Sequence, residues 1–212
     1  MEDKKCLITA GGPETELGYV KDWVEKFHPV IFCADGGLRH LQVLGIQPDW
    51  LIGDFDSAQQ YEDCPAKRVI LPAEKDENDT QACVRKAIEL GFRDLTLVCA
   101  DGGRWDHFLC NLSVLEMAWE KGADCQLLHA NNLVLFHPGG KRSYPKRDYR
   151  YLGIIPLDAV LQDVTLIGLK YTIQHQNLYR SSIISTSNEV TEDIFTVEIG
   201  KGHALIIYAE KI

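Results

Sequence analysis

The sequence lacks the loops with which proteins commonly bind phosphate groups. Its 212 residues contain no G-x-x-x-x-G-K-[ST] loop and no G-x-G-x-x-G loop. They also contain no G-x-S-x-G nucleophile elbow, and the positions of serine and histidine suggest no hydrolase triad. Any nucleotide binding would therefore depend on metal ions and on scattered side chains.

Long apolar runs and paired cysteines are missing as well. No run approaches the ~18 residues that a membrane-spanning helix needs, and the first residues, MEDKKCLITAGGPE, show no signal-peptide pattern. The seven cysteines contain no C-x-x-C pair and lie mostly in apolar stretches, which is typical of reduced core residues and not of metal ligands or disulfides. We therefore expect a cytoplasmic protein with no membrane partner.

Positive charge is scarce relative to negative charge. There are 22 Lys and Arg against 31 Asp and Glu, and the formal net charge is −9. Nonspecific nucleic-acid binding comes from Lys and Arg that neutralise phosphates, so this balance argues against a nucleic-acid partner. The basic stretch KRSYPKR at 141–147 is either an interaction patch or a solvated, mobile hairpin, and we favour the hairpin.

Short apolar strands alternate with amphipathic helices as far as residue ~130. Helices are predicted to end near Phe27 and before Gly45, Gly91 and Gly122. Parallel neighbours need crossover connections, so this alternation predicts a doubly wound, mostly parallel sheet. The predicted strands are 5–9, 30–34, 50–52, 68–71, 95–100 and 125–129.

The pattern changes from about residue 131. Turn formers become frequent, and short strands follow one another with no convincing helix. The segment 195–199 alternates apolar and polar residues, and 204–209 is typical of a buried strand. The fold class predicted is therefore α/β, with an α/β domain at 1–130 and an antiparallel β-sandwich domain at 131–212.

The stretch DWLIGDFDS at 49–57 ends an apolar strand in two carboxylates. Gly53 permits a close turn, and Asp54 and Asp56 would leave the strand on one side of an extended segment. Mg²⁺ prefers oxygen ligands and is usually held by one or two carboxylates together with substrate phosphates. A solvated acidic turn is the alternative interpretation.

Together with Asp54 and Asp56, six further polar residues follow predicted strands. Because the carboxyl ends of parallel strands share one edge, these residues are expected to lie together where such sheets bind ligands. Two carboxylates ~4 Å apart repel by ~4 kcal/mol at an effective dielectric of ~20, so an acidic cluster at this edge favours a bound metal. The residues are Asp35, Asp54, Asp56, Lys75, Asp76, Asp79, Arg104 and Asp106.

Several of these residues have alternative structural explanations. Asp79 suits the first turn of a helix, and Asp35 suits a helix cap. Asn78 and Gln81 fit a capping box. Lys75, Arg104 and His107 could face phosphates, and Arg104 is best suited to bidentate contact. A histidine alone at a helix start, as His107 is, is more often structural.

The chain resembles the thiamine pyrophosphokinase family in six motifs that occur in the family's order. One such motif would be weak evidence, whereas six together are specific. They are ADGG at 34–37, PDWLIGDFDS at 48–57, EKDENDTQ at 74–81, GGRWDHFLCNL at 102–112, GLKY at 168–171 and STSNE at 185–189.

The resemblance implies transfer of the pyrophosphoryl group of ATP to thiamine, with Mg²⁺ as cofactor. It further implies an ATP-binding catalytic domain, a thiamine-binding sandwich and a homodimer whose sites are shared between protomers. Asp54, Asp56 and Asp79 would hold the metal. Catalysis would use Asp54, Asp56, Asp79, Arg104 and Asp106; substrate binding would use Asp35, Lys75, Asp76, Arg104, Ser185, Ser187 and Asn188.

Two positions depart from the family's pattern. Many relatives have threonine where this chain has Asn78, and no aromatic residue closely follows Asn188. Two rival functions share the acidic edge: another Mg²⁺-dependent phosphotransferase or phosphatase, which would release free phosphate without thiamine, and a noncatalytic nucleotide-binding module.

Overall fold

The computed structural model describes residues 4–55, 64–72, 76–182 and 184–210. The chain divides into two compact units, Met1–Ala130 and Asn131–Ile212. The first is an α/β unit with a parallel sheet and the second is built of antiparallel strands, so the predicted fold class is confirmed. Within the described ranges, no helix is both long and apolar enough to cross a membrane.

The first unit is organised around a parallel sheet. Its described strands have the order β4-β3-β2-β1-β5-β6, and every neighbouring pair among them is parallel. Near-continuous burial of β1, β2, β3 and β5 explains their apolar sequences. The strands are β1 Cys6–Thr9, β2 Val30–Ala34, β3 Trp50–Gly53, β4 Lys67–Ile70, β5 Asp94–Val98 and β6 Asp124–His129.

Helices cover both faces of this sheet. The helices α1 (Gly18–Phe27) and α2 (Leu38–Leu44) bury Val20 and Leu41 in one core cluster with β1, β2 and β3. The helix α3 (Asp79–Glu89) packs against the same three strands, and α4 (Trp105–Glu120) packs against α3 and β6. The sheet is therefore doubly wound, as predicted.

The buried face of α4 differs from the periodicity of its sequence. The helix has apolar residues at Phe108, Leu112, Leu115 and Trp119, and their spacing predicts that these side chains face the core. It buries Asn111, Val114, Leu115 and Ala118 instead. The Nδ2 of Asn111 donates a hydrogen bond of 2.7 Å to the Ala100 carbonyl, so this buried polar contact connects α4 to the loop after β5.

The second unit is a β-sandwich in which β7-β13-β9 are antiparallel neighbours in one sheet and β11-β10-β12-β8 form the other sheet. The ring of Phe195 in β12 packs edge-on against that of Tyr208 in β13, with centroids 6.0 Å apart, so the two sheets share a core. The strands are β7 Asn132–His137, β8 Gly140–Pro145, β9 Tyr151–Pro156, β10 Val160–Ile167, β11 Ile173–Tyr179, β12 Ile194–Lys201 and β13 Ala204–Ala209.

The stretch KRSYPKR at 141–147 is mostly exposed, as predicted, but it does not form a hairpin of its own. Most of this stretch belongs to β8, which pairs with β12 in the register Phe195↔Tyr144. Gly139 and Gly140 have φ of 87° and 71°, a left-handed conformation that glycine adopts without strain. They allow the chain to leave the sheet of β7 and enter the other sheet.

Candidate active site

A cavity of about 390 Å³ lies at the carboxyl edge of the parallel sheet. Its volume is in the range of ligand sites, about 300–1,000 Å³. The chain leaves β1 toward β2 on one side and β5 lies on the other, so the cavity occupies the switch point where open α/β sheets bind ligands. The lining residues are Ala10, Gly11, Gly12, Pro13, Ala34, Gly36, Arg39, Asn78, Asp79, Thr80, Ala100, Asp101, Gly102, Gly103, Arg104, His107, Phe108 and Asn111.

Glycine brings the loops of this edge together. A Cβ on Gly12 would lie 2.6 Å from the carbonyl oxygens of Cys99 and Asp101, closer than real side chains allow. The Gly12 N–H donates a hydrogen bond of 2.8 Å to the Cys99 carbonyl. The loop after β1 therefore packs directly on the loop after β5 because Gly12 has no side chain.

Asp35 and Asp54 follow the ends of neighbouring strands. A Cβ on Gly53 would lie 2.5 Å from the Cβ of Asp35, so the bare backbone at Gly53 makes room for that aspartate. Asp35 opens a short 3₁₀ turn, and neither that turn nor α2 has a side-chain cap. The alternative in which Asp35 caps its helix is therefore wrong.

The chain turns sharply after Asp54. Phe55 has φ of 54°, a left-handed conformation that costs a non-glycine residue roughly 1–2 kcal/mol. The predicted segment is therefore not extended at Phe55. Asp56 itself lies outside the residues that the structure describes.

Asp79 is the first residue of α3 and lines the cavity, so it is both a first-turn acid and a site residue. Asn78 is the N-cap, and its Oδ1 accepts a hydrogen bond of 2.8 Å from the Gln81 N–H. The side-chain amide of Gln81 donates to the sulfur of Met117 at 3.4 Å. The capping side of the predicted box is therefore present, while the Gln81 side chain is used to pack α3 on α4.

Arg104 lines the cavity, but its guanidinium contacts Asp106. Arg104 Nε donates to Oδ1 at 3.2 Å, and Nη2 donates to Oδ2 at 2.5 Å. This pairing lowers the pKa of Asp106 to about 2 and raises that of Arg104. Both side chains are exposed. The Asp106 carboxylate accepts from the same face of the Arg104 guanidinium that a phosphate group would use.

The structure brings only part of the predicted set together. Asp79 and Arg104 share the cavity lining, and Asp35 and Asp54 end adjacent strands, whereas Asp106 is not among the lining residues. Asp76 is exposed in a bend before α3. Lys75 lies outside the described residues.

The sequence interpretation missed Arg39, which lines the cavity from α2. Its Nη2 donates to the carbonyl oxygens of Gly11 and Gly12 at 2.7 and 2.9 Å. The neighbouring His40 contacts the same Gly12 carbonyl at 2.8 Å, and burial lowers its pKa. The sequence contains a signal for this role, because Arg39 is the second residue after the ADGG motif at the carboxyl edge.

In the second unit, the predicted thiamine-binding residues have different environments. Asn188 is buried: its Oδ1 accepts from the N–H groups of Tyr171 and Glu189, both at 2.9 Å, and its Nδ2 donates to the Tyr171 carbonyl at 2.8 Å. Ser185 is buried as well, whereas Ser187 is exposed with φ of 56°. Asn188 therefore shapes the turn that presents Ser187.

Two family models match the chain. The model described as "Thiamin pyrophosphokinase, catalytic domain" matches residues 23–127, within the α/β unit. The model described as "Thiamin pyrophosphokinase, vitamin B1 binding domain" matches residues 143–203, within the sandwich.

Relatives of known sequence and structure resemble nearly the whole chain. The thiamine pyrophosphokinase of Bacillus subtilis is 28% identical over 211 residues, which is 96% of this chain and 98% of the relative. Its crystal structure has a TM-score of 0.88 and covers 99% of this chain and 100% of the other. The thiamin pyrophosphokinase structure from Geobacillus thermodenitrificans is 25% identical, with a TM-score of 0.84 and 98% coverage of both chains. The chain therefore belongs to the thiamine pyrophosphokinase family, as its six motifs predicted.

Proposed function

We propose that this chain transfers the pyrophosphoryl group of ATP to the hydroxyl group of thiamine, giving AMP and thiamine diphosphate. The observation that carries the proposal is the cavity at the switch point of the sheet, which Asp79 and Arg104 line together in a member of this family. Asp35 and Asp54 follow the neighbouring strands β2 and β3.

The cavity suits a polyphosphate chain. Asp79 and Thr80 in the first turn of α3 and His107 in the first turn of α4 contribute to its lining. Helix N-termini favour anions through their free N–H groups and dipoles. The hydroxyl oxygen of thiamine would attack the β-phosphorus of ATP, and AMP would leave. Catalysis is then mainly alignment and charge neutralisation, in which Arg104 would exchange Asp106 for a phosphate oxygen.

Asp54, Asp56 and Asp79 are the proposed ligands of Mg²⁺. Their oxygen atoms are the donors that this ion prefers. Asp54 follows β3, and Asp35 follows the neighbouring strand β2. When bound, Mg²⁺ would supply positive charge that neutralises the phosphate oxygens. Asp35, Lys75, Asp76 and Arg104 are proposed to bind the nucleotide.

The sandwich is proposed to bind thiamine at the STSN turn, with Ser187 as the exposed contact and Ser185 and Asn188 as residues that form the turn. An acidic site suits the cationic thiazolium ring. From the family resemblance we also propose a homodimer in which the acidic edge of one protomer and the thiamine turn of the other form one site. Location in the cytoplasm remains a prediction from the sequence.

The test is to incubate the protein with ATP, Mg²⁺ and thiamine and to separate the products. AMP and thiamine diphosphate in equal amounts, lost on chelation of Mg²⁺, would support the proposal. Free phosphate produced without thiamine would indicate the alternative phosphatase or phosphotransferase. Binding of ATP without turnover would indicate a nucleotide-binding module.

A further inference from the structure

A cluster of three side chains lies beside the cavity. Glu14, Asp101 and His129 each place one polar atom within 4.8 Å of the others. The Nε2 of His129 is 3.1 Å from an oxygen of Glu14 and 3.7 Å from an oxygen of Asp101. Glu14 follows β1, Asp101 follows β5 and His129 ends β6, so residues distant in sequence meet at one edge of the sheet.

The carboxylate of Glu14 is enclosed and hydrogen-bonded. Its side chain is 6% exposed, and its Oε1 accepts from the N–H groups of Thr15 and Glu16 at 2.8 and 2.9 Å. Its Oε2 accepts from the hydroxyl of Tyr19 at 3.3 Å, and that hydroxyl accepts from the Cys99 N–H at 3.4 Å. This carboxylate has donors on both oxygens, which favours a hydrogen-bonded junction over a metal cage.

The junction connects two loops that form the cavity. Pro13, next to Glu14, lines it, as does the run from Asp101 to Arg104. The Pro13 ring lies against the second loop, since a Cβ on Gly102 or Gly103 would be 3.2 Å from it. Movement of Glu14 relative to Asp101 would therefore change the cavity wall and the position of Arg104.

We infer that His129 is a positioning residue for the nucleotide site. Its imidazole joins Glu14 to Asp101 and so holds the loop 10–14 against the loop 99–104; we call these three residues the His129 clamp. Without the imidazole, two carboxylates would face each other with nothing between them, and like charges repel. That ATP is the ligand of these loops rests on the proposed function. The contacts between the two loops do not depend on that proposal.

Loss of the clamp should weaken nucleotide binding more than the chemical step. ATP would have to order the two loops as it binds, and this cost applies equally to the ground state and the transition state. Such a change raises KM and leaves kcat nearly unchanged.

The experiment compares His129→Ala and His129→Gln with the parent protein. Glutamine keeps an N–H donor, so it should restore much of the lost binding. His175→Ala is the matched control, because His175 contacts Asp163 at 2.7 Å in an exposed pair of the second unit. The readouts are affinity for ATP with Mg²⁺ by calorimetry, KM and kcat, and amide hydrogen exchange of segments 10–16 and 99–104.

For His129→Ala we expect ATP affinity to fall and KM for ATP to rise by about tenfold, as for the loss of one hydrogen bond to a charged group. The kcat should stay within about twofold, and exchange should increase in the two segments. Glutamine should recover most of the affinity, and the control should match the parent.

Unchanged ATP affinity and unchanged loop exchange in His129→Ala would overturn the inference. Increased exchange across the whole first unit would also overturn it, because it would indicate general destabilisation. In a further measurement, the parent protein and His129→Ala are titrated with Zn²⁺ and with Mn²⁺. Stoichiometric binding to the parent that is lost in His129→Ala would assign the cluster to a metal instead. A parent protein that cannot transfer a pyrophosphoryl group from ATP to thiamine would contradict the proposed function, while the exchange measurement would still test the His129 clamp.

Discussion

Gly53 and Asp35 illustrate how one missing side chain shapes the acidic edge. The two residues lie on neighbouring parallel strands or directly after them. A Cβ at Gly53 would overlap the side chain of Asp35. The aspartate can occupy its place only because the position beside it is glycine.

We therefore expect Gly53→Ala to reduce activity by at least about tenfold, equivalent to ~1.4 kcal/mol of the barrier. The added methyl group would meet the Cβ of Asp35 at 2.5 Å and force the acidic strand ends apart. Gly18→Ala is the control, since a Cβ there meets nothing within 4 Å. Steady-state kinetics of both variants tests this expectation. Equal activity of Gly53→Ala and Gly18→Ala would show that the close approach of Gly53 to Asp35 is unimportant.

Asp54 and Asp56 provide a second prediction at this scale. Replacing either by asparagine should lower kcat by more than about tenfold at saturating Mg²⁺, because each change would remove a proposed anionic metal ligand. The fold should persist, since less negative charge would remain at the edge. Kinetics and circular dichroism together check both statements.

Asp49→Asn is the matched control in the same segment. Asp49 precedes β3 at its amino end and accepts a hydrogen bond of 2.8 Å from the Ile31 N–H, a bond that asparagine can also accept. This variant should keep near-parent kcat. An Asp54 variant as active as this control would exclude Asp54 from the proposed metal site.

At the scale of elements, α3 carries a site residue on its first turn and is capped by Asn78. The cap satisfies the N–H group of Gln81, and Asp79 begins the helix next to it. The start of α3 is therefore both a local sequence feature and part of the cavity wall.

Asn78→Ala should lower the free energy of unfolding by about 1 kcal/mol, within the range of ~0.5–2 kcal/mol measured for N-cap removal. Asn78→Ser retains a capping oxygen and should lose much less. Urea denaturation of the full chain measures both variants. If alanine and serine are equally stable, the hydrogen bond to Gln81 contributes nothing net.

At the scale of the whole molecule, two buried histidines make stability depend on pH. Burial lowers the pKa of His137 and of His40 below 6.5. In the sandwich, His137 accepts from the Gly139 N–H at 3.0 Å, and its other ring nitrogen lies 3.2 Å from the Val197 carbonyl, so the neutral ring with Nε2–H fits this environment.

The sign follows from proton binding. Below pH 6.5 the unfolded chain takes up protons on these histidines before the folded chain does, so the free energy of unfolding should fall as the pH drops below that value. Denaturation at pH 7.5 and 5.5 should show this loss in the parent. His137→Gln should lose less free energy of unfolding between these pH values than the parent. His175→Ala, at an exposed site, should lose the same amount as the parent.

The proposed homodimer can be tested by mixing two inactive variants. Asp54→Ala removes a proposed metal ligand, and Ser187→Lys places a cation at the exposed thiamine turn while the buried hydrogen bonds of Asn188 stay intact. After subunit exchange, a heterodimer would carry both lesions in one site and neither in the other. Random pairing should then restore about a quarter of parent activity in an isologous dimer.

Mass measurement of the mixture controls for exchange. A mixture that forms heterodimers yet stays inactive would mean that each protomer uses its own thiamine turn. Recovery without heterodimers would mean that one variant is not truly inactive.

Much of the fold could be predicted because it depends on local pattern. Apolar runs and glycine stops placed the strands of the first unit within about two residues, a usual boundary error. Because parallel strands end at the same edge of a sheet, the strand assignment alone predicted that Asp35, Asp54, Asp79 and Arg104 lie at one edge. The six motifs identified the family because they record residue types in a fixed order.

Contacts between distant residues were beyond such reasoning. Loop packing, which no periodicity encodes, decides the burial of Asn111, the entry of β8 into the second sheet and the His129 clamp. Residues 14, 101 and 129 meet because three strands of one sheet end side by side and glycines let their loops touch. Residue types and their order carry the chemistry and the family, whereas the partner of each side chain follows from packing in three dimensions.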